Sequence, residues 1–211
     1  MKIHPAESLS PLPTILSPNA LLTQAFVCTD YPLLNQYIPN PPDLIIATIH
    51  HSSTDQYSCS ITPHTPQAIL PHLAFESATK KTRPQLSSGS LVYARITAAS
   101  KYTETELTCV NLSTGKSEGM GPLTGGCVFD VSGGMARRLL MPRREGKVVV
   151  LEEMGEKVPF EVAVGRNGRV WVKSETVTGT VAVGRALKET DEKGLRIDEQ
   201  KALVKKLSRG L

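Results

Sequence analysis

Five short runs rich in β-branched and apolar residues follow one another between residues 43 and 112, and they constrain the fold more than any other feature. The runs are residues 43–50, 56–61, 67–70, 90–98 and 106–112. Turn-forming residues separate them, and the longest gap holds HLAFESATKK (72–81), which predicts a short helical turn. Five strands with a short helix after the third is the element order of an OB-type barrel. The sequence therefore predicts a five-stranded β-barrel over residues 43–118.

The pattern changes after residue 118. CVFDV (127–131) predicts a strand, and SGGMARRLL (132–140) predicts a short helix with Ser132 as its N-cap. Two later segments, 147–157 and 175–190, contain the β-branched residues typical of strands. Both also show residues at helical spacing: Val150 and Met154 of the first with Val158 directly after it, and Val177, Val181 and Gly184 of the second.

Reading those two segments as helices gives the order strand, helix, helix, strand, strand, helix, which is the order of a KH domain. The segment 197–209 adds an amphipathic terminal helix, with Leu203 and Leu207 on one side. The sequence therefore predicts a KH domain of α+β structure over residues 119–211. Its first part, GMGPLTGG (119–126), lacks the Lys-Ser/Thr ending of a phosphate-binding loop and is interpreted as an interdomain hinge.

The first 42 residues differ in composition from the rest. Twelve of the 15 prolines lie at or before Pro84, and residues 1–42 are rich in Pro, Ser, Thr and Asn. This composition predicts a short N-terminal appendage of extended or β structure. Prolines and a glutamate interrupt the start of the chain, so no signal peptide is expected. No apolar run approaches the roughly 20 residues that span a bilayer, so no membrane association is expected either.

The charge of the chain is unevenly distributed. The formal net charge is +4, but residues 1–79 hold one basic residue (Lys2) against five acidic ones, which is −4. The remaining 23 basic and 15 acidic residues give +8 for residues 80–211. A basic half is typical of proteins that meet phosphate or an acidic partner, although solvated helix faces also carry such charge.

Neither metal binding nor catalysis is indicated by the sequence. The four cysteines are at least 18 residues apart, without a C-x-x-C pair or a histidine at ligand spacing. We expect them to be reduced and mostly buried. The carboxylates are scattered, and no hydrolase or nucleotide-binding motif is present. The expectation is a protein with no metal, no cofactor and no catalytic residues, which is not an enzyme.

Three stretches of the sequence are similar to a known family. HLAFESATKKTRPQLSSGSLVYARI, NLSTGKSEGMGPL and VAVGRNGRVWVKS resemble, in this order, the S1/KH cap subunits of the eukaryotic RNA exosome. The resemblance covers roughly residues 37–190. It implies a multidomain α/β protein with a small N-terminal β-domain, an S1-type barrel and a KH domain.

The resemblance also implies a function. Members of that family sit on a six-subunit RNase-PH-like ring beside other cap subunits. They help to form the entry pore for single-stranded RNA that is processed or degraded from its 3′ end, and separate subunits catalyse the degradation. Their place is the nucleus, including the nucleolus, and the cytoplasm. Two other hypotheses remain open: a free OB-KH RNA-binding module in ribosome biogenesis, and an RNA-processing hydrolase.

The loop Gly165-Arg166-Asn167-Gly168 allows two interpretations. A G-x-x-G loop can cradle a nucleic-acid backbone, but in a KH domain that cradle joins the first two helices. Here the connection between those helices is residues 141–146, where Arg143 replaces the first glycine and Glu145 adds a negative charge. Two strands joined through Asn-Gly favour a type I′ hairpin turn with positive φ at Asn167 and Gly168. We interpret the loop as a structural turn, as it is regarded in the resembling family.

Candidate RNA contacts lie in the barrel. OB barrels bind through the face of strands 2 and 3 and through the loops after strands 1 and 4. The candidates there are His50, His51, Tyr57, Lys80, Lys81, Arg83, Lys101 and Tyr102. Each offers a plane for stacking or a positive charge for phosphate, and each can also be an ordinary solvated loop residue. Trp171 is interpreted as a strand residue packed at the domain junction rather than a base-stacking platform.

Overall fold

A closed barrel forms the first half of the part described by the computed structural model, which covers residues 37–100 and 102–208. The strands are β1 (Leu44–Ser52), β2 (Gln56–Ser60), β3 (Ala68–Pro71), β4 (Leu91–Ala98), β5 (Thr105–Thr108) and β6 (Gly121–Leu123). They pair in the order β1-β2-β3-β5-β4-β6, and an additional antiparallel pairing of β1 with β4 closes the ring. The predicted five-stranded barrel is confirmed.

Alternation of side chains explains the barrel core. In β4 every second residue, Val92, Ala94 and Ile96, is buried, as expected for a strand with one face inward. These side chains pack with Ile45 and Ile49 of β1 and with apolar residues of β2, β3 and β5. β1 departs from the alternation, because Ile45, Ile46 and Ala47 are all buried. Its outer face is therefore covered as well as its inner one.

Two predictions for the barrel region are wrong. Residues 72–81 form isolated turns instead of a helical turn, and Ser77 has φ of 53°, which a right-handed helix cannot accommodate. The predicted hinge over residues 119–126 contains β6, which pairs with β4 at Leu91, Val92 and Tyr93. Residues 121–123 therefore extend the barrel sheet.

The second half has the predicted KH element order. The elements are β7 (Cys127–Asp130), α1 (Gly133–Leu140), α2 (Arg143–Gly146), α3 (Val150–Gly155), β8 (Phe160–Val164), β9 (Arg169–Ser174), α4 (Val177–Lys193) and α5 (Ile197–Leu207). The three strands form an antiparallel sheet in the order β7-β9-β8. Val170 and Val172 of the central strand β9 pack against the buried faces of the helices. The one-turn helix α2 was not predicted.

The buried face of α4 differs from the predicted one. Val177 and Val181 are 79% and 50% exposed, so they do not face the core. The core-facing residues are Val183, Ala186 and Leu187. Gly184 is buried among them because the ring of Phe129 occupies the space that a side chain would need. Val177 and Val181 therefore have helical spacing, but they lie on the exposed side of α4 and not on its buried face.

Two of the three described cysteines are buried as expected, and the predicted cap of α1 is confirmed. Cys59 and Cys109 are buried and free, and burial raises the pKa of both thiols to about 12. Cys127 is exposed, and Cys28 lies outside the described residues. Ser132 caps α1 as predicted, its hydroxyl accepting a hydrogen bond from the Met135 amide at 3.1 Å. Of the predicted N-terminal segment, only residues 37–42 belong to the described part of the chain.

Candidate nucleic-acid interface

The loop Gly165–Gly168 is the turn between β8 and β9. The Gly168 amide donates to the Gly165 carbonyl at 3.2 Å, and the Gly165 amide donates to the Arg169 carbonyl at 2.8 Å. Gly168 has φ of 77°, whereas Asn167 is not in the left-handed region. The prediction of a type I′ turn with positive φ at both residues is therefore wrong at Asn167. A turn followed by a left-handed glycine is the geometry of a three-residue hairpin loop with a bulge.

The side chain of Asn167 joins this turn to the barrel. Its Oδ1 accepts a hydrogen bond from the Ile46 amide at 3.3 Å, and its Nδ2 donates to the carbonyls of Ile46 at 2.9 Å and Ile61 at 2.8 Å. Asn167 is only 8% exposed. The Arg166 amide adds a hydrogen bond to the Leu44 carbonyl at 2.7 Å. The loop thus presents its polar groups to the barrel backbone instead of to solvent.

Trp171 lies at the same junction, as predicted. It packs with Ile46 and Ala163 in a small apolar cluster between barrel and KH sheet, and it is 5% exposed. Its indole N–H donates to the carbonyl of Gly125 at 2.8 Å. Because so little of the ring is exposed, no base could stack on it.

The KH connection at residues 141–146 has no glycine cradle. The chain turns through the short helix α2, and its Gly146 lies so close to the Arg138 carbonyl that a side chain would collide with it. The N-terminus of α1 is also occupied, because Asp191 accepts hydrogen bonds from the amide and the hydroxyl of Ser132, both at 2.6 Å. Backbone N–H groups are therefore not presented to a phosphate here as a G-x-x-G loop presents them.

Tyr57 is a barrel-core residue, which corrects its assignment as an RNA contact. It is 1% exposed, and its hydroxyl donates to the Pro84 carbonyl at 2.7 Å. Its ring lies 4.2 Å from that of His72, centroid to centroid. A ring enclosed in this way cannot stack on a base.

The other candidates lie at two ends of the face formed by β2 and β3. His50 and His51 are exposed near the end of β1, beside the loop 53–55, and Lys80 and Lys81 are exposed in the segment that follows β3. Arg83 is half-buried, and its Nη1 donates to the Thr54 carbonyl of that loop at 3.3 Å. These five candidates therefore belong to one end of the barrel.

Tyr102 belongs to the opposite end. β3 and β5 run parallel and start side by side, with Ala68 opposite Thr105, so the loop 99–104 enters the barrel beside the turn 61–67. Tyr102 is 90% exposed in that loop, and Lys101 lies outside the described residues. The described candidates therefore lie at both ends of the strand face and do not form one cluster.

His72 was not identified as a site residue from the sequence. It is 3% exposed at the end of β3, its amide donates to the Asp55 carbonyl at 3.0 Å, and its Nδ1 lies against Nη1 of Arg83. Burial and the Arg83 guanidinium lower the pKa of His72, whereas the Asp55 carboxylate and the Thr54 carbonyl act in the opposite direction. The sequence pattern predicts His72 as the first residue of a helical turn, and so it gives no sign that this side chain is buried in the barrel.

The described part of the chain contains neither a metal-ligand grouping nor a membrane-spanning helix. Across residues 37–100 and 102–208, no three His, Cys, Asp or Glu side chains come together as a metal site would require. In the same part of the chain, no helix combines the length and the apolar character needed to cross a membrane.

Comparisons with known proteins agree with the two-domain architecture. Residues 37–121 match the family "Exosome complex component RRP40, S1 domain", and residues 126–178 match the family "KH domain". The exosome complex component rrp40 of Schizosaccharomyces pombe is 39% identical over 178 residues, covering 82% of this chain and 71% of the relative. The RRP40 proteins of Drosophila melanogaster and Homo sapiens are 42% and 32% identical, and the matches cover 75% and 82% of this chain.

The chain spans about two thirds of the curated relatives it matches, since the matches cover 66% of the Drosophila protein and 60% of the human one. A crystal structure described as that of an exosome complex RNA-binding protein superposes with a TM-score of 0.64 at 21% identity. That superposition covers 82% of this chain and 96% of the other, and it shows a common fold.

We predict that Asn167 stabilises the junction far more than its neighbour Arg166 does. Asn167→Asp keeps the shape of the side chain but places a carboxylate oxygen against the carbonyls of Ile46 and Ile61, and it should cost about 3 kcal/mol or more of unfolding free energy. Gly168→Val should cost about 1–3 kcal/mol through backbone strain. Arg166→Ala is the matched control and should leave stability nearly unchanged. Urea unfolding measures all three, and an Asp variant as stable as the control would contradict the prediction.

We also predict that lowering the pH destabilises the barrel through His72. The unfolded imidazole takes up its proton near pH 6.5, whereas the folded one does so only at lower pH, so the unfolded state binds more protons between the two pKa values. The stability present above about pH 6.5 should therefore fall as the pH is lowered through that window. His72→Asn, which can still accept from Arg83, should show a smaller loss between about pH 8 and about pH 5. Equal losses in both proteins, measured by urea unfolding, would refute this role of His72.

Proposed function

The chain belongs to the family of the exosome complex component RRP40, and we propose that it acts as a non-catalytic RNA-binding subunit of an RNA exosome. The observation that carries the proposal is the exposure of His50, His51, Lys80 and Lys81 at one end of a barrel that is fixed to its KH domain. The KH connection at 141–146 contributes no backbone cradle of its own. RNA contact is therefore assigned to the barrel.

The proposed partners are the RNase-PH-like ring subunits, the other cap subunits and single-stranded RNA. The relatives are named as components of the exosome complex, which supports association with other subunits. A few cations at the barrel ends give weak, sequence-independent attraction to phosphate, so appreciable affinity would arise when neighbouring subunits complete a basic channel. We place the protein in the nucleus, including the nucleolus, and in the cytoplasm, where RNA processing and degradation by such a complex take place.

The proposal includes a division of the chain. We assign residues 1–42 to an N-terminal segment and the barrel to a domain beginning at residue 43. The barrel domain is taken to end after β6, because residues 121–123 pair with β4. The KH domain with its C-terminal helix follows. In this arrangement the KH domain supports the barrel through the turn 165–168.

We predict that the purified chain has no ribonuclease activity. Carboxylates that could hold catalytic metal ions do not come together within residues 37–100 and 102–208, and hydrolysis of RNA by metal-ion catalysis requires such ligands. Labelled single-stranded RNA should remain intact after incubation with Mg²⁺ or Mn²⁺. Degradation that persists through stringent purification would favour the RNA-processing hydrolase instead.

We predict that the barrel loops line the RNA path of the assembled complex. Lys80→Glu together with Lys101→Glu should shorten the RNA that the reconstituted complex protects from nuclease digestion, or should reduce the affinity of the complex for RNA. Lys188→Glu together with Lys205→Glu makes the same charge change on exposed KH helices and serves as the matched control. For the isolated chain, log K against log salt should have a shallow slope of about −1.5 to −2.

Three results would distinguish the alternatives. Unchanged protection and affinity in the Lys80 and Lys101 variant would mean that this barrel face does not line the path. Tight, sequence-selective binding by the isolated chain would favour the free OB-KH module in ribosome biogenesis. Failure to co-purify with a six-subunit ring from native extract would contradict the assignment to the exosome.

A further inference from the structure

The KH domain exposes large apolar side chains at the end of α1. Leu140 and Met141 are consecutive, and they are 44% and 40% exposed. Arg137 precedes them by three and four positions, a spacing that places side chains on one helix face, and this face lies opposite the buried Met135. Lys147, also exposed, follows α2. We call Arg137, Leu140, Met141 and Lys147 the α1 surface.

Positive charge is concentrated in the same stretch. Residues 137–147 contain five basic residues and one acidic residue, a net charge of +4 that is half of the +8 of residues 80–211. Within residues 37–100 and 102–208, neither Arg137 nor Lys147 forms an ion pair with a carboxylate. By contrast, Lys193 and Lys201 of the helices α4 and α5 are each paired with a glutamate. The α1 surface therefore retains cations that are complementary to an acidic partner.

The shape of the α1 surface is fixed by the C-terminal helix α5. The buried side chain of Gln200 accepts a hydrogen bond from the Val149 amide at 2.9 Å and donates to the Lys147 carbonyl at 3.2 Å. Gly146 lies against the Arg138 carbonyl, which brings the end of α2 back to α1. Lys147 has φ of 51°, a left-handed conformation that persists only where the surrounding structure determines it. A surface held in this way loses little conformational freedom on binding.

We propose that the α1 surface binds an acidic segment of a protein partner. Carboxylates of that segment pair with Arg137 and Lys147, and an apolar side chain packs on Leu140 and Met141. An apolar centre with a charged rim is the usual anatomy of a protein interface, and the flexible thioether of Met141 can adapt to the apolar side chain. This inference goes beyond the proposed function, because RNA takes no part in it.

The composition of the α1 surface favours protein over RNA as its partner. The sequence contains no aromatic residue between Phe129 and Phe160, so no ring is available there for a base to stack on. The connection 141–146 lacks the G-x-x-G loop that approaches a phosphate, and Glu145 is exposed within it. The exposed apolar side chains, in contrast, gain free energy when apolar groups of a protein cover them.

The test replaces Met141 of the full chain by the photo-cross-linker benzoylphenylalanine and irradiates the complex that the chain forms in its own cells. We expect a cross-link to a protein segment rich in Asp and Glu, with a yield that ribonuclease treatment before irradiation does not change. Arg137→Glu together with Lys147→Glu should lower this yield by about tenfold. Lys188→Glu together with Lys205→Glu makes the same charge change at other exposed positions and should leave the yield unchanged. Both double variants should unfold at the same urea concentration as the parent chain, because all four side chains are exposed.

Three outcomes would overturn the proposal. A cross-link to RNA that ribonuclease removes would make the α1 surface an RNA contact. A cross-link to a segment without acidic residues, or one whose yield survives the charge reversal, would contradict recognition through Arg137 and Lys147. A yield no higher than that obtained with the cross-linker at Val177, which is 79% exposed on α4, would mean that no partner covers the α1 surface. RNA binding by the barrel is tested separately by nuclease protection, so the two proposals can fail independently.

Discussion

The arrangement of the two domains depends on the carboxamide of Asn167. That group combines one acceptor with two donor positions, and it meets one backbone N–H and two backbone carbonyls of the barrel. No other side chain of this size offers both functions in one plane. Because the turn is nearly closed to solvent, the loss of either function leaves barrel backbone groups buried without partners. The barrel and the KH domain are therefore held by specific polar contacts as well as by packing.

This contact also explains why β1 is buried on both faces. Ile45 and Ala47 point into the barrel, while Ile46 packs with Trp171 and Ala163 of the KH sheet. A strand at the surface of an isolated barrel would expose Ile46. The apolar run Leu44–Ala47 is a sequence signal for this second contact, since a strand buried on both faces loses the alternation of polar and apolar residues. Gly165 fits the same constraint, because a side chain there would collide with the Ile46 amide.

Much of the fold could be predicted because local patterns and global order agreed. The barrel strands alternate in burial, and their number and order identified the barrel. The helices α3 and α4 begin with β-branched residues, and only their place in the KH order distinguished them from strands. Prediction was wrong where tertiary contacts override local preference. Pairing with β4 turns a glycine-rich stretch into β6, and core packing with His72 removes Tyr57 from the surface. The contact between His72 and Arg83 has no sequence signature, because the two residues meet across an irregular segment.

That irregular segment connects the stability of the barrel with its surface chemistry. Between β3 and β4 the chain lacks regular hydrogen bonding, so side chains hold it in place: the Tyr57 hydroxyl binds the Pro84 carbonyl, and Arg83 binds the Thr54 carbonyl. Arg83 therefore helps to fix the segment, and a change at Arg83 would alter the folding of this end of the barrel. Lys80 is exposed in the same segment and makes no such hydrogen bond in the described structure, so its charge can be changed with little effect on the fold. In the proposed RNA contact, Lys80 would therefore supply charge, while Arg83, His72 and Tyr57 maintain the shape of this end of the barrel.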